Sequence, residues 1–486
     1  MKTKLLSVMS LIVVAMCACN NNSFVNEPIQ ESEVVMSRAG ESSSVGEYTV
    51  TPEMVCKYLN LARKGKNINS LNPIVENGDT LAYVAQYDES QGWDLISGDR
   101  RISPVLAFSD EGVLNIVDSI NNPAVKAVCG MLQIIRDAKS TNNIEKHSIW
   151  KALEHKVYNN TVIPRGWGQG KWIAIDTVYN YQAGGINHII KTQWGQDYPW
   201  NIYTPLGWIK TDQENNETYG IYHCAVGCGA VALGQLIYHY RKNNNRGIAL
   251  PTSAYFTDSI VGSRPIFSNF SVAGWSGLAN NKNENGTAST ARFLSYLGGQ
   301  LNSNYGHETN ITPDSLFPIL NAYQLTGSEL NTYDYYKVLE SLKANKPVIM
   351  GASNNGLQGH AFLIDCYRNI IDEIYVNYEF DPYYEVSEDE LSIEDPKLFE
   401  WPEKENPFEG VVMKREYWEY SNSIYFRMNW GYDGAGDNIN YIACYKSLED
   451  MKLEQQSGIV TDGYIYTEWA QYNRVEYCIY NIVEMP

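Results

Sequence analysis

Four short segments beyond residue 190 carry side chains able to do covalent chemistry. Gly227-Cys228-Gly229-Ala230-Val231-Ala232-Leu233-Gly234-Gln235-Leu236-Ile237 joins a small-residue turn directly to an apolar helical run. That sets Cys228 at or near a helix N-terminus, where unpaired backbone N–H groups and the positive dipole end favour a thiolate. A structural cysteine in a small-residue packing helix has the same pattern. Gly359-His360-Ala361-Phe362-Leu363-Ile364-Asp365 starts an apolar strand with a histidine. Its ring can stand at the sheet end while the strand anchors it, although structural histidines also sit at strand starts. Met428-Asn429-Trp430-Gly431-Tyr432-Asp433-Gly434 follows the strand-like Ile424-Tyr425-Phe426-Arg427. An amide there can orient an imidazole and an indole can shield that bond from water; a plain turn with an Asn-Trp edge is the other reading. Gln193-Trp194-Gly195-Gln196-Asp197-Tyr198-Pro199-Trp200-Asn201 offers a glutamine amide as an oxyanion donor, or polar turn filler.

The elements that must position these groups are partly legible. With 486 residues, roughly three folding units are expected. Hydrophobic residues make up 44% and charged ones 19%, enough for a sizeable core, so global disorder is excluded. A short helix opens at Thr51-Pro52-Glu53-Met54-Val55, with proline where a first turn tolerates it. Leu81, Tyr83, Ala85 and Tyr87 alternate, as do Trp93, Leu95 and Ser97, which predicts half-buried strands. Gly98-Asp99-Arg100-Arg101 is a turn, Pro104 to Ser109 a further strand, and 113–157 helical. Glycines and Pro164 across 158–185 predict an exposed linker, and 186–486 is long enough for one large domain. The net charge of -19 repels phosphate backbones and no basic patch stands out, so no nucleic-acid partner is expected.

The first residues set the compartment. Lys2 and Lys4 precede an apolar run from Leu5 to Ala18, too short to span a bilayer but suited to a signal-peptide core. Met16-Cys17-Ala18-Cys19 has the look of a bacterial lipobox, with Cys19 the lipidated residue because the small Ala18 precedes it. A plain secretory signal cut nearby is the alternative. The expected layout is a lipoprotein signal peptide over 1–18 and a flexible tether over 19–46, on an exported protein held at a membrane by lipid or secreted. Of nine cysteines, seven lie beyond the leader. An odd number leaves at least one thiol unpaired within the chain. Cys224 falls one turn before Cys228 if that turn is helical, so the two are expected to be able to pair under oxidising conditions. A zinc site there lacks a second ligand pair at suitable spacing.

Taken together, glutamine, cysteine on a helix, histidine on a strand and Asn-Trp follow the chain order of papain-like thiol proteases. The segments resemble those of streptopain-like cysteine peptidases, family C10 of clan CA. Residues 47–157, especially Ser97 to Arg100 and Pro104 to Ser109, are similar to the streptopain propeptide and to related small inhibitors. The resemblance implies an α+β fold, a papain-like helical lobe on a twisted antiparallel sheet, preceded by a small α+β prodomain. It implies Cys228 as nucleophile, its thiol lowered by pairing with His360 as base. Asn429 would orient the imidazole, Trp430 cover the His–Asn bond, and Gln196 act with the Cys228 N–H as oxyanion donors. Gly229 departs from the usual valine, which implies a looser helix start. An acidic insertion at about 367–423 is a further departure, with acidic residues outnumbering basic ones about three to one. It suits a solvated excursion or a substrate-selecting flap.

The expected function is a lipid-anchored cysteine endopeptidase made as a zymogen. Its partners would be protein or peptide substrates and its own prodomain as intramolecular inhibitor, with a processing site in 158–185 and no metal or organic cofactor. An amidase or endopeptidase acting on cell-wall peptides, and a non-catalytic surface binder or protease inhibitor, are the competing readings.

Overall fold

In the computed structural model, which describes residues 46–88, 91–114, 132, 135–136, 138–140, 145–154, 171–213, 216–242, 253–258, 262–267, 272–306, 308–328, 333–354, 358–381, 414–442 and 474–485, the first helix starts where Pro52 predicts. Helix α1 (Pro52–Ala62) is capped by Thr51, whose hydroxyl accepts from Met54 N. An antiparallel run β1 (Ile68–Glu76), β2 (Asp79–Tyr87), β3 (Trp93–Ser97) and β4 (Val105–Ser109) follows, then α2 (Ser148–Glu154). Every residue of β3 and β4 is buried, so this sheet is covered on both faces where the alternation had suggested one. At the corner between them, Asp99 and Arg101 form a buried ion pair and Ser97 N bonds Pro104 O. The leader, Cys19, the tether up to residue 45 and residues 382–413 of the acidic insertion lie outside the described residues. Among the described residues, no helix is long and apolar enough to cross a membrane.

Residues 171–185, expected in an exposed linker, form the strand β5 (Lys171–Gly185). Beyond it come the hairpin β6 (Leu206–Gln213) and β7 (Asn216–His223), helix α3 (Cys228–Arg241), and a second hairpin of β8 (Ser253–Asp258) and β9 (Gly262–Phe267). Helices α4 (Thr287–Gln300) and α5 (Leu316–Ala322), the short β10 (Leu325–Thr326), and α6 (Tyr335–Lys343) lead into the central strands. These are β11 (Val348–Asn354), β12 (Gln358–Asp381), β13 (Lys414–Asn429), β14 (Asn440–Ile442) and β15 (Arg474–Ile479), with β16 (Val483–Glu484) pairing β10.

One ten-stranded sheet runs β1-β2-β3-β4-β14-β13-β12-β11-β15, with β5 also on β12. The join is β4 against β14, where Phe108 faces Asn440 and Ala107 faces Tyr441. The segments separable by sequence as prodomain and catalytic domain therefore share a sheet, and 47–486 is one compact unit. Side chains alternate across β11 and β12 as the strand period dictates. Ile349 and Leu363 enter the core around α3, α4 and α5, whereas Val348, Met350, Phe362 and Ile364 enter the core that includes the N-terminal elements. Leu233, Leu236 and Ile237 of α3 are fully buried, each worth on the order of 1.5–3 kcal/mol.

The stems of the acidic insertion correct the expectation of a solvated excursion. Residues 367–381 and 414–423 continue β12 and β13 as a long ribbon with β5 on its outer side. Its Ile370, Ile374 and Val376 are buried in the same core as α1 and α2. Asp365 is the extra residue of a bulge that breaks the β12–β13 register, and its carboxylate is taken by Arg427 and Ile190 N.

Candidate active site

Cys228 is the first residue of α3. Gly227 before it has φ 93°, and a Cβ there would come within 2.9 Å of the Thr309 methyl, so both conformation and space call for glycine. Thr309 in turn donates to Ala225 O at 2.8 Å. The helix start is firm rather than loose, because the Ile311 side chain fills the space that a larger residue at Gly229 would occupy. The Cys228 thiol accepts from Ala361 N at 3.3 Å, which seats it against β12 next to His360. Burial pushes this thiol up, with the Ala361, Gly229 and Cys228 N–H groups pulling the other way. Loss of hydration outweighs those dipoles, a direction opposite to the lowering that an imidazolium partner would bring.

His360 is buried at the start of β12, and its Nε2 lies 2.9 Å from Trp430 O. A carbonyl oxygen only accepts, so Nε2 carries the hydrogen and Nδ1 is the proton-accepting nitrogen. The ring stands beside the Phe362–Trp430 pair, whose centroids are 4.6 Å apart, at 6.0 and 6.1 Å from them, and meets the Tyr432 ring edge-on at 5.7 Å. Trp430 N is itself fixed by the buried Asp437 carboxyl at 3.0 Å.

Asn429, expected to orient the imidazole, has its hydrogen bonds elsewhere. Its amide donates to Thr192 O at 2.9 Å and accepts from Gln235 Nε2 at 2.7 Å and Gly431 N at 3.2 Å. Gln235, two turns along α3 and fully buried, also accepts from the Thr192 hydroxyl and Trp194 N. One side chain thus ties the nucleophile helix, the glutamine segment and the Asn-Trp segment. The imidazole contact falls to the next residue's carbonyl, which strand alternation and local turn geometry select and no side-chain pattern announces.

Gln196 is half-buried, and its backbone oxygen accepts from Val226 N at 2.9 Å, two residues before Cys228. The Trp200 indole donates to Asp433, pinning the glutamine segment to the loop after Trp430. Cys224 and Cys228 are not joined by a disulfide. Residues 224–227 are not helical, so Cys224 is not one turn below Cys228. It is buried, with Pro205 O bonding its N–H and the Thr204 hydroxyl its carbonyl. Tyr432 has no role in the sequence-based reading. Burial, together with Cys228, Asp197 and Glu308, pushes its phenol up to about 12, so it stays protonated over the site.

A thiol on a helix start beside a strand-borne imidazole of fixed tautomer defines a thiol hydrolase site. Residues 194–384 match the model of the Peptidase C10 family, and residues 52–133 match that of the Spi protease inhibitor. Over those two stretches the chain is similar to C10 cysteine peptidases and to the Spi inhibitor. Similar solved structures include a fragment of Prevotella intermedia prointerpain A in mutant form, at 16% identity and a TM-score of 0.45, covering 85% of this chain and 98% of that one. Another is active wild-type Prevotella intermedia interpain A cysteine protease, at 21% identity and a TM-score of 0.29, covering 37% and 77%. No curated protein matches the chain.

Proposed function

We propose that the chain is an exported, lipid-anchored cysteine endopeptidase whose N-terminal domain holds it inactive until it is cut. The seating of Cys228 against Ala361 N–H, beside an imidazole fixed by Trp430 O, supports this most directly. In the reaction, His360 Nδ1 takes the Cys228 proton and the sulfur attacks the scissile carbonyl carbon. The C=O electron pair moves to oxygen, which the Cys228 N–H and Gln196 amide stabilise. Collapse of the tetrahedral adduct breaks the C–N bond, and the amine leaves with the proton from His360. Water, deprotonated by His360, then hydrolyses the thioester and frees the thiol. Removing the Gln196 amide should lower kcat about 10²–10³-fold.

Export and anchoring rest on the Lys2/Lys4 leader and Cys19. Inhibition by the N-terminal domain rests on its likeness to the Spi protease inhibitor and on the β4–β14 join. Release of that domain requires a cut after α2 and before β5, so we place processing within 155–170. Purified residues 47–486 should trim themselves within that window, while Cys228→Ala stays whole, as followed by intact mass. Trimming of both forms at the same rate, with no protease added, would remove Cys228 from the reaction.

A further inference from the structure

We infer that the β6–β7 hairpin is a capture arm for extended, apolar segments of protein substrates, outside the catalytic groups themselves. The two strands form a sheet of their own, paired only to each other among the described residues. Trp208 faces Ile221 across the pair, and Tyr219 lies two residues from Ile221, so all three side chains share one face. Trp208 is 63% exposed, Tyr219 58% and Ile221 48%. Large apolar groups of this kind on one face mark an interaction surface, since water is a poor neighbour for them. On the opposite face Tyr222 is also exposed, but its ring lies back over Gly220, where a Cβ would come within 2.2 Å of it, so the three-residue cluster is confined to the Trp208 face.

The occupant follows from where the hairpin is rooted. Its base is clamped to the nucleophile loop by Cys224 N to Pro205 O at 2.8 Å, the Thr204 hydroxyl to Cys224 O at 2.5 Å, and Asn201 Nδ2 to His223 O at 3.2 Å. His223 Nδ1 closes the same root on Thr204 O. The arm lies in sequence between Gln196 and Cys228, five residues from the thiol at its nearest end. The face stays exposed with the described residues of the N-terminal domain in place, so none of these is its occupant. A peptidase cleft takes polypeptide in extended form, whose side chains repeat with the two-residue period of this face. The inference rests on the chain's being a peptidase and adds how it holds long substrates.

The test uses the full chain, first as Cys228→Ala to keep it inert, with fluorescent reduced and carboxymethylated α-lactalbumin as probe. Replacing Trp208 and Ile221 by serine should weaken binding at least about tenfold (about 1.4 kcal/mol), and Trp208→Tyr should restore most of it. In the otherwise unmodified chain after processing, the same pair of serines should raise KM for the unfolded protein, with kcat/KM for a four-residue peptide unchanged. Unchanged binding, an equal loss on the short peptide, loss of a dimer in the serine variant, or loss of vesicle binding in place of protein binding would each overturn the arm. Failure of the unsubstituted processed chain to cleave even the short peptide would instead count against the peptidase reading.

Discussion

A thiol whose burial outweighs the backbone N–H groups around it should ionise late. Cys228 in the full chain is therefore expected to alkylate slowly with iodoacetamide at neutral pH, with the rate climbing only in the alkaline range. A rate already at plateau near pH 5 would show a thiolate–imidazolium pair in the zymogen. Gln235 and Asn429 lend themselves to a paired comparison. Gln235→Ala leaves the Thr192 hydroxyl, Trp194 N and Asn429 without their shared partner in a dry interior, a loss of about 2–4 kcal/mol in denaturant unfolding. Asn429→Ala should cost stability too, yet leave the imidazole limb of the pH–rate profile in place, because Trp430 O and not Asn429 meets the ring. A shift of that limb would restore Asn429 to the orienting role. Cys228 and His360 were legible because each sits at a local boundary, a turn entering a helix and a glycine entering a strand. The partner of a buried amide is set by three distant segments meeting, which no window of sequence displays.

At the scale of elements, the ribbon of β5, β12 and β13 is the platform on which α1 and α2 sit, and it carries two buried titratable groups of opposite habit. Asp372 on β12 accepts from the Tyr179 hydroxyl, near Tyr58, Arg63 and Asp94, and burial pushes it up to about 6. His147, just before α2, meets Ser421 of β13, and burial with Lys151 pushes it down to about 3. The signs differ. Asp372 contributes stability that is present below its ordinary 3.8 and lost as pH rises through about 6. His147 contributes stability that is present above 6.5 and lost as pH falls toward 3. Between about pH 4 and 6 the two oppose each other. Asp372→Asn leaves His147 alone, so the unmodified chain should gain on the order of 2–3 kcal/mol relative to the variant as pH falls from 6.5 to 4. Parallel denaturation curves for the two chains across that range would refute it. The platform itself was hidden in the sequence. Glycines and Pro164 clustered before Lys171 and at 184–185 drew attention away from the β-forming Trp172, Ile173, Ile175, Thr177, Val178 and Tyr179 between them.

For the whole molecule, the sheet join makes a prediction about maturation. β14 has three residues and is held by β13 on one side and β4 on the other. Amides of 440–442 should be protected from hydrogen exchange in the full chain and lose protection once the N-terminal domain departs, while 361–364 in the middle of the sheet keep theirs. Persistent protection at β14 after processing would mean that the domain stays docked after the cut. The N-terminal strands could be read from periodicity and the fold class from the family resemblance, but a sheet joined across the chain could not, because period two says nothing about which strand lies alongside.

That same join governs how the protein is born. Phe108 meets Asn440 across more than three hundred residues of chain, a contact whose loop-closure cost weighs on the folding rate. On a ribosome adding about 5–20 residues per second, β4 waits on the order of tens of seconds before its partner exists. Through that interval Val105-Leu106-Ala107-Phe108 is an apolar edge with open backbone groups, ready to pair with a like strand on a neighbouring nascent chain. Keeping that edge from pairing wrongly until β14 has been made is a demand the cell's chaperones must meet before any peptide bond is cut.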